Sequence, residues 1–270
     1  MRIPALLFFF TTLSGLAAPP QDLPDIDEAF RLSGVRARLE SLPSHVNEMT
    51  AVAISQLPRD QRAQFEPVLK DMMLRFLDPD AFYQQLRTYF ARRSDPSHMA
   101  TFLALERTPL YRTMHRVEQE SETPAAQASR RRFEATLQSD PPSIKRVQTL
   151  QHLDEITNAT GTQVKIVTAV MNAMAAGMGA RMPADLDKQS AAFNTKIQPV
   201  LASQVLHANL FIYRNVEDAD LEDYVSAMEQ KDVDWFNRNL QAAILAVSAD
   251  RATRAGEYLK SKIATAPPAN

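Results

Sequence analysis

The sequence predicts an all-α protein, a multi-helix array or bundle of short antiparallel helices in two related halves. Three observations carry this prediction. Apolar residues recur at spacings of three and four along almost the whole chain, with no convincing alternating strand. A capping side chain stands directly before a proline at Asp78-Pro79, Asp95-Pro96 and Thr108-Pro109. Such a side chain accepts from the first free N–H groups of a helix, and proline at the first helical position loses nothing by lacking its own. Glycine is scarce, 6 residues in 270, so few turns can rely on its positive φ.

The N-terminus has one basic residue, Arg2, the apolar run Ala5-Leu6-Leu7-Phe8-Phe9-Phe10 and a small-residue exit through Ser14-Gly15-Leu16-Ala17-Ala18. These are the parts of a secretory signal peptide, too short to be a transmembrane helix. Cleavage is expected after Ala17, with Gly15 and Ala17 at the small-residue positions. The expected division is therefore a signal peptide at 1–17, a first helical half at 18–140, a second at 141–264 and a disordered tail at 265–270. No Cys is present to carry a lipid, a disulfide or a thiolate metal site.

The helices follow in order. Residues 25–42 carry Ile26, Phe30, Val35, Leu39 and Leu42 on one face. Pro43-Ser44 breaks this segment and starts 45–57, with Val46, Met49, Ala53 and Leu57. The segment 60–77 is kinked or split at Pro67. Residues 79–93 place Phe82, Leu86, Tyr89 and Phe90 together, and 96–107 place Met99, Phe102, Leu103 and Leu105 together. A helix from Pro109 either continues through 118–129 or breaks at Pro124. Asp140-Pro141-Pro142 is the strongest punctuation and marks the boundary between halves. Then come a helix at 143–158, ended near Gly161, and an apolar one at 163–182. Pro183 and Pro199 punctuate again. Asp218 caps a helix reaching Lys231, and the last long helix starts near Asp232.

Landmarks repeat in order between the halves. Thr50-Ala51-Val52 matches Thr168-Ala169-Val170, Leu57-Pro58 matches Met182-Pro183, and Tyr89-Phe90 matches Ile212-Tyr213. Asp95 heads Met99, Phe102-Leu103 and Glu106, as Asp218 heads Leu221, Tyr224-Val225 and Glu229. Their offsets of 118 to 125 fit a duplication with small insertions. The stretch Asp95…Phe102-Leu103-Ala104-Leu105-Glu106-Arg107-Thr108-Pro109-Leu110-Tyr111 resembles an exported bacterial family, domain of unknown function 2059. A degenerate second copy reads Asp218…Tyr224-Val225-Ser226-Ala227-Met228-Glu229…Trp235-Phe236, without the proline. The resemblance covers about 30–120 and, faintly, 145–263. It implies a periplasmic or secreted helical protein and assigns no chemistry to any residue.

Composition and motifs exclude several functions. Lys and Arg number 30 against 32 Asp and Glu, a net charge of −2. Removing 1–17 takes away Arg2 and no acid, leaving −3, so a general nucleic-acid binder is not expected. Scarce glycine leaves no phosphate loop, dinucleotide fingerprint or nucleophile elbow, and no cofactor is expected. The histidines His45, His98, His115, His152 and His207 form no metal-binding i, i+4 pair. Asp78-Pro79-Asp80 and Asp218-Ala219-Asp220 lack the further ligands and the glycine of a calcium loop. Glu118, Glu120 and Glu122 read as a solvated acidic face.

Two candidate binding features remain. Met171, Met174 and Met178 could line an adaptable groove on the apolar helix. Arg130, Arg131 and Arg132 form a candidate anion patch. The expected function is non-enzymatic: binding of a protein, peptide or envelope component in the periplasm, or outside the cell, by a protein with no stable membrane span. Alternatives are a hydrolase with a site between the halves, which needs converging His and carboxylates, and a carrier of a hydrophobic ligand, which needs an apolar cavity.

Overall fold

A computed structural model of the chain describes residues 23–40, 59–177 and 186–264. The expected signal segment, the helix at 45–57, Met178, Pro183, the tail and the repeat landmarks at 50–52, 57–58 and 182–183 lie outside the described residues. The described helices are α1 (Leu23–Leu32), α2 (Arg59–Phe76), α3 (Pro79–Ala91), α4 (Pro96–Glu106), α5 (Pro109–Ser121) and α6 (Pro124–Thr136). They continue with α7 (Ile144–Thr157), α8 (Ala159–Gly177), α9 (Leu186–Ile212), α10 (Asp218–Met228) and α11 (Lys231–Ala264). Residues 35–40 are also helical, and no strand occurs among the described residues. No helix among them is long and apolar enough to cross a membrane.

The corners form as the cap–proline pairs predict. The Asp78 carboxylate accepts from the Ala81 N–H at 2.6 Å, and Asp95 accepts from Ser97 and His98 at 2.9 and 3.1 Å. Thr108 accepts from Tyr111 at 3.4 Å. Thr123-Pro124 is a fourth pair, with Thr123 accepting from Ala126 at 3.2 Å, so the helix from Pro109 ends before Pro124. Ser143 caps α7 through the Arg146 N–H at 3.1 Å.

Several expectations need correction. The segment 25–42 is two pieces, divided at Ser33-Gly34, where Gly34 has φ of 72°. Helix α7 is ended by Asn158 in the left-handed conformation (φ 47°), and Gly161 lies inside α8. Pro67 sits inside α2, so of the two expectations there the split does not occur, and Pro199, expected to punctuate, sits inside α9. Each removes one backbone hydrogen bond, and the flanking turns are held by packing, of α2 on α11 and of α9 on α7 and α8. Asp218 is not the cap of α10. Glu217 occupies that position without a side-chain cap, while Asp218 accepts from Arg146 of α7.

The two halves repeat an order of contacts. Helix α1 packs on α3 and α4, and α7 packs on α9 and α10. The caps Asp95 and Glu217 stand 122 positions apart, as do the helix ends Glu106 and Met228. At this offset buried residues fall on buried residues: Met99 on Leu221, Phe102 on Tyr224, Leu103 on Val225 and Met114 on Phe236. The core does not divide between the halves, because one cluster of buried side chains runs from Ile26 to Val247. The rings of Phe102 and Phe236 stack at 3.9 Å and 11°, and Phe90 meets Phe30 and Phe236 at 5.3 Å each. These contacts join α1, α3 and α4 of the first half to α11, which threads both.

Helices α8 and α11 make the closest pairing. A Cβ on Gly177 would stand 2.1 Å from the Thr253 carbonyl oxygen and 2.8 Å from the Glu257 nitrogen. Both are backbone atoms, so no side chain can swing aside. Gly177→Ala is therefore expected to cost about 1–3 kcal/mol in urea unfolding, despite alanine's better helix propensity. A stabilised variant would show that this approach is not tight.

Candidate functional site

A cavity of about 880 Å³ is lined from both halves. Its wall is mostly apolar, with Leu86, Phe102, Ile166, Val170, Phe236 and Leu240 among its side chains. Ligand sites for small molecules commonly span about 300–1,000 Å³ with a few polar groups in an apolar wall. Among the polar groups of this wall, two features stand out by their buried charge.

The first is a cluster built by two apolar stripes that each end in an acid. On α4 the buried face runs Met99, Phe102, Leu103, Glu106, and on α5 it runs Tyr111, Met114, His115 and then the partly buried Glu118. The 3-1-3 spacing puts each set on one side of its helix. The Thr108-Pro109 corner turns the two faces toward each other. His115 Nε2 then lies 2.7 Å from Glu106 Oε2, and His115 Nδ1 lies 3.2 Å from Glu118 Oε2. The Glu106 contact is close but outside hydrogen-bond alignment, so it is an ion pair rather than a directed bond. The second half supplies two phenols: Tyr213 donates to Glu118 Oε1 at 2.7 Å and Tyr224 donates to the same atom at 3.1 Å. The Arg38 guanidinium lies 4.0 Å from Glu118 Oε2. Glu118 thus joins α5 to the end of α9 and to α10.

The electrostatics follow from these distances. Burial works against charge on His115, but the Glu106 and Glu118 carboxylates outweigh it and push its pKa up to about 9. Burial likewise works against charge on Glu118. The His115 contact, the Arg38 charge and the Tyr213 hydroxyl override it and hold that carboxyl down at about 2. Burial and the Glu118 charge drive the hydroxyls of Tyr213 and Tyr224 well above the usual phenol range. At neutral pH His115 is therefore an imidazolium beside the Glu118 carboxylate, with protonated phenols.

The second feature is Arg251 on α11. It is only 7% exposed and lines the cavity. Its Nε donates to Gln85 Oε1 at 2.7 Å and its Nη1 to the Phe76 carbonyl at 2.8 Å, and the guanidinium sits 5.2 Å from the Phe82 ring centroid. Burial lowers its pKa below the usual value.

The sequence-predicted candidates stand elsewhere. Met171 is 52% exposed and takes no part in lining the cavity, toward which the same helix presents Ile166 and Val170. The Met174 side chain and Met178 lie outside the described residues. Arg130 pairs with Glu134 at 2.8 Å, and Arg132 reaches Ser129 at 3.3 Å. Arg131 and Arg132 are exposed. Successive helix residues diverge by about 100°, so these three arginines point apart rather than forming one anion patch. Of the expected acidic face, Glu120 is exposed but Glu118 is not. His98 Nδ1 lies 2.6 Å from Asp232 and its ring stacks on Trp235 at 5.3 Å, a contact at the core's edge. No group of three or more His, Asp or Glu among the described residues is arranged to hold a metal ion.

No protein-family model, curated protein or solved structure matches the chain.

Proposed function

We propose that the protein is a non-enzymatic carrier or receptor for a small, mainly apolar molecule, held in the cavity between its halves. The observation that carries this reading is the 880 Å³ space walled by apolar side chains from both halves. It favours a small amphiphile over a protein or peptide partner, and Met171 takes no part in that wall. Export to the periplasm or beyond belongs to the same proposal, supported by the signal-like N-terminus. So does the likeness to domain of unknown function 2059, which rests on the stretch 95–111 alone.

The Glu106–His115–Glu118 cluster supports a structural role better than catalysis. Both ring nitrogens of His115 face carboxylates, and its raised pKa keeps it charged at neutral pH. A general base must be unprotonated and within reach of a substrate proton. Glu118 is occupied by His115, Tyr213 and Tyr224. The polar capacity of Glu118 is spent on joining the halves.

The test is binding of the uncharged dye N-phenyl-1-naphthylamine. One saturable site per chain is expected, with enhanced and blue-shifted emission. Ile166→Trp, which places an indole at the cavity wall, is expected to weaken the dye at least tenfold while helical circular dichroism is kept. Unsaturable binding, or full affinity in the filled variant, would refute the cavity as a ligand site.

A further inference from the structure

The charge on Arg251 says more about the occupant. This guanidinium is more than nine-tenths buried, yet no carboxylate among the described residues lies within ion-pair distance of it. The two acids whose charge reaches it are engaged elsewhere: Asp78 caps α3, and Asp250 pairs with Arg254 at 3.1 Å. A buried cation without a counterion is costly, and here both neighbours that satisfy it are neutral, the Gln85 amide and the Phe76 carbonyl. Of its five N–H donors, Nε and one on Nη1 are used. Three remain, enough for the paired donation from Nη1 and Nη2 that a carboxylate accepts. Beside the guanidinium the wall is apolar, with Phe76, Leu77, Phe82 and Leu86.

We infer that Arg251 is the anchor of the ligand site and that the occupant is a long-chain amphiphile ending in a single carboxylate. This rests on the cavity being a ligand site. The carboxylate ion-pairs with Arg251 and the chain fills the apolar space toward Phe102 and Phe236. A monoanion matches the one guanidinium of the wall that no carboxylate among the described residues meets at ion-pair distance. A phosphate monoester would bring about one further negative charge at neutral pH. The cavity wall already carries three acids, Glu106, Glu118 and Glu122, against His115 and Arg38, so a second negative charge on the ligand would be poorly met. The position is also absent from the methionine and arginine features of the sequence: Val247, Arg251 and Ala255 form one stripe of α11, with the charge at its centre.

The test is displacement of N-phenyl-1-naphthylamine from the full chain by hexadecanoate, hexadecan-1-ol and hexadecyl phosphate. Hexadecanoate is expected to compete at a concentration at least tenfold lower than the alcohol of equal chain length. In Arg251→Met that gap closes, and in Arg251→Lys, which keeps the charge without the fork, part of it remains. Equal competition by acid and alcohol in the wild type, or an undiminished gap in Arg251→Met, overturns the inference. Stronger competition by the phosphate overturns the carboxylate assignment. If Arg251→Met does not fold, the wild-type acid–alcohol comparison and Arg251→Lys still decide. Failure of the dye to bind at all removes the cavity reading and this inference with it, whereas dye binding without acid preference removes this inference alone.

Discussion

Glu118→Ala is expected to lower the unfolding free energy by about 3–5 kcal/mol, the usual result of breaking a buried charged pair by removing one partner. The loss has identifiable parts. The Tyr213 and Tyr224 hydroxyls lose their shared acceptor, and His115 keeps a buried charge with only the misaligned Glu106 contact. Unfolding in urea at neutral pH measures it. Glu118→Gln, which retains an acceptor oxygen for the phenols, should cost less than Glu118→Ala. Glu120→Ala, two residues along the same helix and exposed, should stay within about 0.5 kcal/mol of wild type. An equal effect at 118 and 120 would mean that the cluster does not join the halves.

The second large effect is on pH dependence. His115 has a folded pKa near 9 against an ordinary 6.5. Its contribution is therefore complete below about pH 6.5 and is lost as pH rises through 9, on the order of 3 kcal/mol over that range. Glu118 acts oppositely. Its folded pKa of about 2 lies below the ordinary 4.5, so its contribution is complete above pH 4.5 and is lost as pH falls toward 2. Stability should then be greatest between about pH 4.5 and 6.5 and decline on the alkaline side. The groups facing His115 come from two elements, Glu106 from α4 and Tyr111 and Glu118 from α5, and Tyr224 of α10 reaches Glu118 and the Tyr111 ring. His115→Asn should flatten the alkaline limb between pH 6.5 and 9 without altering the acid limb to the same degree. An unchanged alkaline limb in that variant would place the titration elsewhere.

The fold class was legible because helix geometry leaves local marks. The caps at Asp78, Asp95 and Thr108 are each followed by a proline, and each starts a helix. Thr123-Pro124 carries the same mark, and the uniform polarity of 118–129 hid it. Pro199 misled because proline's local cost was weighed without the packing of α9 against α7 and α8. The cluster was half-legible. The stripes Met99-Phe102-Leu103-Glu106 and Tyr111-Met114-His115-Glu118 carry a buried face straight into an acid, but the proximity of Glu118 to Glu120 and Glu122 made it look solvated. That Tyr213 and Tyr224 meet Glu118 depends on contacts 95 and 106 residues apart in the chain, which no local pattern encodes. Arg251 was less legible still. Its partners Gln85 and Phe76 are 166 and 175 residues away, so its burial exists only once α11 lies across α2 and α3. The one local signal is an arginine between Val247 and Ala255 on one stripe of α11, all three buried.

The most direct test of a ligand cavity between the halves is calorimetric titration of the full-length chain with hexadecanoate, kept below its micellar concentration, at several temperatures. One site per chain is expected, with a negative heat-capacity change from burial of the apolar chain and a marked loss of affinity in both Arg251→Met and Ile166→Trp. Absence of saturable binding, or binding that neither substitution weakens, would contradict an interior site.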